Sequence, residues 1–169
     1  MSKHWEETFR RRMHEFGTLR PPRPGEVAVS IKVRVTSGCF HREHSPRAYE
    51  LIDRHIGGLP PEERDFRFEE HESGPEVLVC LAVTTAGITL AKSVIDLITA
   101  IVNARAQGVR KGDRPRDPIK VIVRRTRTSG EFQEEEALEI HSSQTLEGLQ
   151  IEAAITEASA KLIPEDEQD

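Results

Sequence analysis

The chain has few of the residues that build disulfide scaffolds, aromatic binding surfaces or secretion signals. Its 169 residues include two cysteines, Cys39 and Cys80, and aromatic residues make up only 5%. Two cysteines are too few for a disulfide framework, so we expect a reduced, cytoplasmic protein. The first residues, MSKHWEETFRRRMHEF, lack the apolar segment of a signal peptide.

A long uninterrupted apolar run is also missing. A membrane-spanning helix needs about 20 mostly apolar residues, whereas the charge-free part of the run 77–102 ends before Lys92 and Asp96. These two side chains are spaced to pair on one helix face. The run predicts a buried strand, 77–83, followed by a buried helix. One unbroken helix over 76–107 and a re-entrant membrane segment are the alternatives.

Common catalytic and nucleotide-binding signatures are absent as well. The chain has no Walker motif, G-x-G-x-x-G, G-x-S-x-G or H-E-x-x-H, so we expect no enzyme and no cofactor. Cys39, His41 and His44 form C-x-H-x-x-H, whose residue types bind zinc. Structural zinc sites usually have a second ligand pair, so these are alternatively ordinary loop residues. Cys39 is also a weak nucleophile candidate, and Cys80 is expected to be an inert buried thiol.

The net charge of −5 conceals two blocks of opposite sign. Residues 105–127 hold nine Lys or Arg and two acids, whereas 128–169 hold twelve acids and one Lys. The basic block can contact a partner or nucleic-acid phosphates, with candidates Arg110, Lys111, Arg114, Arg124, Arg125 and Arg127. It contains no aromatic residue to stack a base. The alternative is a hairpin that brings Arg125 and Arg127 towards Glu136 and Glu139.

The periodicity of the chain predicts a short N-terminal helix followed by one domain. Residues 4–16 place Trp5, Phe9, Met13 and Phe16 at helical spacing before a proline-rich linker. This helix either docks on the domain or presents Trp5 and Phe9 to a partner. We therefore divide the chain into 1–25 (helix and linker), 26–163 (a single α/β domain) and 164–169 (an acidic tail).

The domain is expected to belong to the α/β (α+β) class, with a mixed sheet of about four to five strands and two to three packed helices. Predicted strands cover 27–35 (half-buried), 65–72 (an edge), 77–83, 119–128 and 137–143. Predicted helices start at Pro46 with Ser45 as cap, at Thr84 or Thr85, and at Leu146 with Thr145 as cap. The predicted core residues are Val79, Leu81, Ile95, Ile98, Val121 and Val123.

One stretch of the chain has a familiar pattern. It is the apolar segment with Gly87, Leu90, Ala91 and Ser93, followed by a charged hairpin and a closing helix. Over residues 29–158 this pattern resembles the effector-associated constant-component family of bacterial conflict systems. The chain departs from it in its N-terminal extension (1–25), in Thr84-Thr85 where glycine is common, and in the basic loop 108–118. The resemblance implies a non-enzymatic adaptor encoded beside an effector.

These observations predict a protein–protein interaction domain that acts as an adaptor or regulator of an effector. The expected partner is a protein, and homo-oligomerisation stays open. The alternatives are a nucleic-acid-binding protein that uses residues 105–127 and a metal-dependent protein that uses Cys39, His41 and His44.

Overall fold

The computed structural model describes residues 3–35, 40–107, 118–127, 129–141 and 146–163, with the backbone alone for residues 3, 106 and 107. The helices are α1 (Lys3–Leu19), α2 (Pro46–Gly57), α3 (Lys92–Gln107) and α4 (Gly148–Leu162). The strands are β1 (Glu26–Val35), β2 (Arg67–Glu69), β3 (Glu76–Thr84), β4 (Gly87–Thr89), β5 (Ile119–Thr126) and β6 (Phe132–Ile140). The α+β class is confirmed.

The six strands form one sheet in the order β2-β3-β1-β5-β6. Strand β4 pairs with β3 along the edge that β3 also offers to β2. Every pairing is antiparallel, so the expected mixed sheet of four to five strands is wrong. Short turns join β2 to β3, β3 to β4 and β5 to β6, and each turn reverses the chain direction, which accounts for these three pairings.

The main core lies between one face of the sheet and helices α2, α3 and α4. The valines and isoleucine at alternate positions of β1 face this layer, together with the matching positions of β3 and β5. All six predicted core residues are buried, none more than 6% exposed: Val79, Leu81, Ile95, Ile98, Val121 and Val123. This prediction is confirmed.

Helix α1 covers the opposite face of the sheet and makes a second, smaller core. Phe9, Met13 and Phe16 pack there against Leu78, with Ala28, Cys80 and Phe132 alongside. The predicted docking of the N-terminal helix is therefore confirmed. The fold has three layers, with α1 on one side of the sheet and α2, α3 and α4 on the other.

The apolar run 77–102 forms a strand, a tight hairpin and a helix. The predicted helix start at Thr84 or Thr85 is wrong because Gly87, at a φ of 123°, allows β3 to turn back into β4. Helix α3 begins only at Lys92, whose Nζ lies 3.3 Å from Asp96 Oδ2, as the spacing predicts. None of the helices in the described ranges is long and apolar enough to cross a membrane.

The hairpin β5–β6 starts earlier than expected. Strand β6 begins at Phe132, so the 134–136 glutamate run lies inside a strand. Its register shifts at Val121/Ile122, where Val121 pairs with Leu138 but Ile122 pairs with Glu136, so Ala137 is a bulge. The bulge puts Leu138 and Glu136 on opposite faces, which simple alternation does not predict.

Two predicted helix caps also need correction. Ser45 precedes α2 but its side chain makes no capping hydrogen bond. Helix α4 is capped by Glu147 and Gln150, which exchange hydrogen bonds with each other's backbone in a capping box. Thr145 lies outside the described residues. Leu149, in the first turn of α4, is 75% exposed.

Gly74 lies in the turn between β2 and β3, which packs against β1 at Val33. Its φ is 140°, and a Cβ atom there would lie 1.9 Å from the carbonyl oxygen of Val33. We expect Gly74→Ala to lower the free energy of unfolding by about 3 kcal/mol. Gly87→Ala is the control, because its φ is 123° but no atom lies within 4 Å; we expect a loss of about 1 kcal/mol. Urea denaturation measures both, and equal losses would contradict the clash.

Candidate functional site

The polar side of β1 forms the floor of a charged site. Ser30, Lys32 and Arg34 alternate with the core valines, a pattern that predicts a solvent-exposed face. Instead Ser30 is fully buried and Lys32 is only 3% exposed. The prediction of a half-buried strand is wrong here because α1 covers this face.

Glu76 is the centre of the site. It follows the Gly74 turn, pairs across the sheet with Lys32, and is fully buried. Its carboxylate accepts hydrogen bonds from Ser30 Oγ and Arg12 Nη1, and His71 Nε2 lies 3.0 Å away. Burial alone would raise the pKa of Glu76, but the bonds from His71, Ser30 and Arg12 hold it well below its usual value.

Arg12 connects α1 to the β2–β3 edge. Its guanidinium contacts Glu69, Glu76 and the ring of His71. Glu69 ends β2, His71 lies in the turn and Glu76 begins β3. Hydrogen bonds that its ring donates to Glu69 and Glu76 raise the pKa of His71, so this imidazole is held towards its charged form.

Lys32 is a buried cation without an ion-pair partner. Its Nζ donates a 2.6 Å hydrogen bond to the carbonyl oxygen of Gly74. Among the described residues no carboxylate oxygen lies within 4.0 Å of it. Desolvation lowers its pKa to about 7; Glu76 opposes this, while Arg124, Arg12 and Arg34 add to it.

Arg124 completes the site from β5. It is 5% exposed, lies 3.2 Å from Glu134 Oε2 and 3.9 Å from Glu76 Oε2. Its guanidinium carbon sits 5.0 Å from the ring centre of Trp5, within cation–π range. Trp5 in turn stacks on Phe9 and meets Phe132 edge-on, so α1 and the sheet hold this arginine together.

These side chains line a cavity of about 500 Å³ between α1 and the sheet. Its charged walls are Arg12, Lys32, Arg34, His71, Glu72, Glu76 and Arg124. The volume is typical of small-molecule sites, and cations outnumber carboxylates on its surface. The arrangement can hold an anion.

The predicted interaction residues fall in different places. Phe9 is fully buried and Arg124 and Arg125 are each 5% exposed, so contacts within the chain occupy them. Trp5 and Arg127 are half-buried. Arg110, Lys111 and Arg114 lie outside the described residues. Assignment of these residues to a partner surface stays a prediction.

In the β5–β6 hairpin, basic residues pair with glutamates as expected, but the individual partners differ from those expected. Arg124 contacts Glu134, Lys120 contacts Glu136 at 3.0 Å, and Arg127 contacts Glu131. The expectation that Arg125 lies near Glu136 and Glu139 is wrong. Arg125 lies opposite Gln133 and donates a hydrogen bond to the carbonyl oxygen of Leu162. The earlier start of β6 explains the difference.

The structure places two of the three sequence-predicted zinc candidates side by side, and the zinc site stays a prediction because the third is not described. Cys39 lies outside the described residues, and the rings of His41 and His44 are 4.4 Å apart near the surface. A different set, Glu69, His71 and Glu76, places one ligand atom of each within 4.8 Å of the others. The spacing E-x-H-x-x-x-x-E was a signal that sequence reasoning missed. Arg12 already supplies a cation to these three groups.

Cys80 lies beside the second core, half-buried under α1. Burial raises the pKa of its thiol to about 11. A thiol of this kind stays protonated at neutral pH, which agrees with the expectation of an inert residue.

Comparisons of the chain with protein-family models, with curated proteins and with solved structures found no match.

The lowered pKa of Lys32 predicts how the free energy of unfolding changes with pH. The folded lysine releases its proton near pH 7 and the unfolded one near 10.4. Between these values the unfolded state binds more protons, so the free energy of unfolding rises with pH. We expect the wild type to gain about 2–3 kcal/mol from pH 6 to 9 relative to Lys32→Met.

Urea denaturation of both proteins at pH 6, 7.5 and 9 measures this gain. Lys92→Met is the matched control, because Lys92 is 90% exposed and its replacement should give a difference that does not change with pH. A parallel pH dependence in wild type and Lys32→Met would contradict a lowered pKa.

Proposed function

We propose that this protein is a non-enzymatic adaptor or regulatory domain that binds a protein partner through the outer edge of β6. Strand β6 is the last strand of the sheet, and among the described residues it pairs with β5 alone. Its nine residues span about 30 Å. An edge of this length accepts a further strand.

The charges of β6 favour a different chain over a second copy. Glu134, Glu135, Glu136 and Glu139 lie along the strand, and the side chains of Glu134 and Glu136 are nearly half exposed. Pairing two copies through β6 would bring two rows of glutamates together, which is unfavourable. The occupant we propose is therefore an extended segment of another protein that carries Lys or Arg.

The family resemblance suggests where that partner comes from. It implies an adaptor in a bacterial conflict system whose partner is an effector encoded nearby. The exposed edge of β6 is the observation that carries the proposal, and the resemblance narrows the choice of partner.

Co-expression with each protein encoded by an adjacent gene tests the proposal. We expect one of them to form a stable complex, measured by size-exclusion chromatography with light scattering. Glu135→Lys combined with Glu139→Lys should weaken that complex at least tenfold by reversing charge on the edge. Glu62→Lys, an exposed change near the opposite edge of the sheet, should leave it unchanged. A complex insensitive to the β6 variants, or none with any neighbour, would refute the proposal.

Nucleic-acid binding is the competing function. In the described part of the basic block, Lys120, Arg124 and Arg127 each contact a glutamate of the hairpin. We therefore expect no binding to duplex or single-stranded DNA at physiological salt. A salt titration with both DNAs measures this, and tight binding that falls steeply with salt would favour the competing function.

A further inference from the structure

The cavity between α1 and the polar face of the sheet has a ligand chemistry of its own. We propose that it binds a small molecule that carries a phosphate group. This site is separate from the edge of β6 and does not depend on the adaptor role.

The charge balance of the cavity calls for an anion. Arg12 is neutralised by Glu69 and Glu76, and Arg124 by Glu134 with help from Glu76. Lys32 and Arg34 both line the cavity, and the structure pairs neither with a carboxylate within 4.0 Å among the described residues. Lys32, which is 97% removed from solvent, and Arg34 therefore face the cavity with no carboxylate oxygen within 4.0 Å among the described residues. A bound anion would pair with Arg34 and favour the charged form of Lys32.

Hydrogen-bond donors around the cavity point to the same ligand. Lys32 Nζ uses one of its three N–H groups, on the carbonyl oxygen of Gly74. The Nε–H of Arg12 is buried and has no acceptor among the described residues. Unmet donors beside positive charge suit the oxygens of a phosphate, which form strong charge-assisted hydrogen bonds with Lys and Arg.

The size of the cavity and the position of Trp5 limit what carries the phosphate. About 500 Å³ exceeds the space that inorganic phosphate alone would fill and matches a small organic molecule. Trp5 is engaged by Phe9 and Arg124, so its ring supports Arg124 and is not the main contact for the ligand. Recognition therefore rests on the phosphate group.

Trp5 gives a direct readout, because it is the only tryptophan of the chain and it lines the cavity. The purified full chain is titrated with glycerol 3-phosphate and with inorganic phosphate at constant ionic strength, and tryptophan fluorescence is recorded. We expect a saturable change with both probes and none with glycerol or KCl. An equal response to KCl, or no saturable response to either phosphate, overturns the proposal.

Charge-removing variants locate the binding. Lys32→Met and Arg34→Gln should each weaken phosphate binding at least tenfold. Arg11→Gln is the matched control, since Arg11 is an exposed arginine of α1 that does not line the cavity, and its affinity should equal that of the wild type. Circular dichroism establishes that each variant is folded. Folded Arg34→Gln with the affinity of Arg11→Gln would overturn the assignment.

Discussion

Replacing Ile98 with aspartate is expected to abolish the fold. Ile98 lies on α3, is completely buried, and belongs to the main core under the sheet. A carboxylate placed there would lie among apolar side chains without a partner. The free-energy cost of burying an unpaired charge is large compared with the total stability of a small domain, about 5–15 kcal/mol. We expect an unfolded or aggregated product by circular dichroism and light scattering.

Leu149→Asp is the matched control for this experiment. It makes the same kind of change, from a large apolar residue to aspartate, on helix α4 at a position that is 75% exposed. We expect a change in stability within about 0.5 kcal/mol. Cooperative unfolding of Ile98→Asp with near wild-type stability would show that the face of α3 is misassigned.

Glu76→Gln is expected to have the second-largest effect. The substitution keeps the size of the side chain but removes the carboxylate that Arg12, Ser30 and His71 contact. Breaking a buried ion pair from one side costs about 3–5 kcal/mol, because the remaining charges stay buried without compensation. Urea denaturation at pH 7 should show a loss of this size.

The pH dependence gives the same prediction a second readout. The folded pKa of Glu76 lies below its unfolded value, so its contribution to stability is present above about pH 4.3 and is lost as the pH falls through the folded pKa. The gap between wild type and Glu76→Gln should therefore narrow in strongly acidic solution. Glu136→Gln, which removes a half-exposed partner of Lys120, should cost less than about 1 kcal/mol. Equal losses for the two variants would contradict a central role for Glu76.

The main core could be predicted from the sequence because its signals are local. The alternation of β1 and the apolar strand β3 place their inward residues without reference to the rest of the chain. The candidate site could not be predicted in this way. Lys32, Glu76 and Arg12 meet only when α1 folds over the sheet, across sequence separations of up to 64 residues.

Polar residues at alternate positions of a strand normally indicate that this face of the strand is exposed to solvent. Here the aromatic stripe of α1 covers them, and the sequence contains no local sign of which face that helix selects. The helix start at Lys92 was missed for a related reason: Gly87 turns the chain into a three-residue strand too short to show periodicity.

The bulge in β6 determines which residue of the hairpin can be deleted without changing the face on which the other side chains lie. Because Ala137 is the extra residue between the Ile122–Glu136 and Val121–Leu138 pairs, its deletion would produce a regular ladder. Leu138 and Ile140 would still face the main core, and Phe132 would still face α1. Deleting a neighbour such as Glu135 would instead reverse the alternation of the residues on one side of it. Ala137 is therefore the position at which related chains can lose a residue while both faces of the strand keep their side chains.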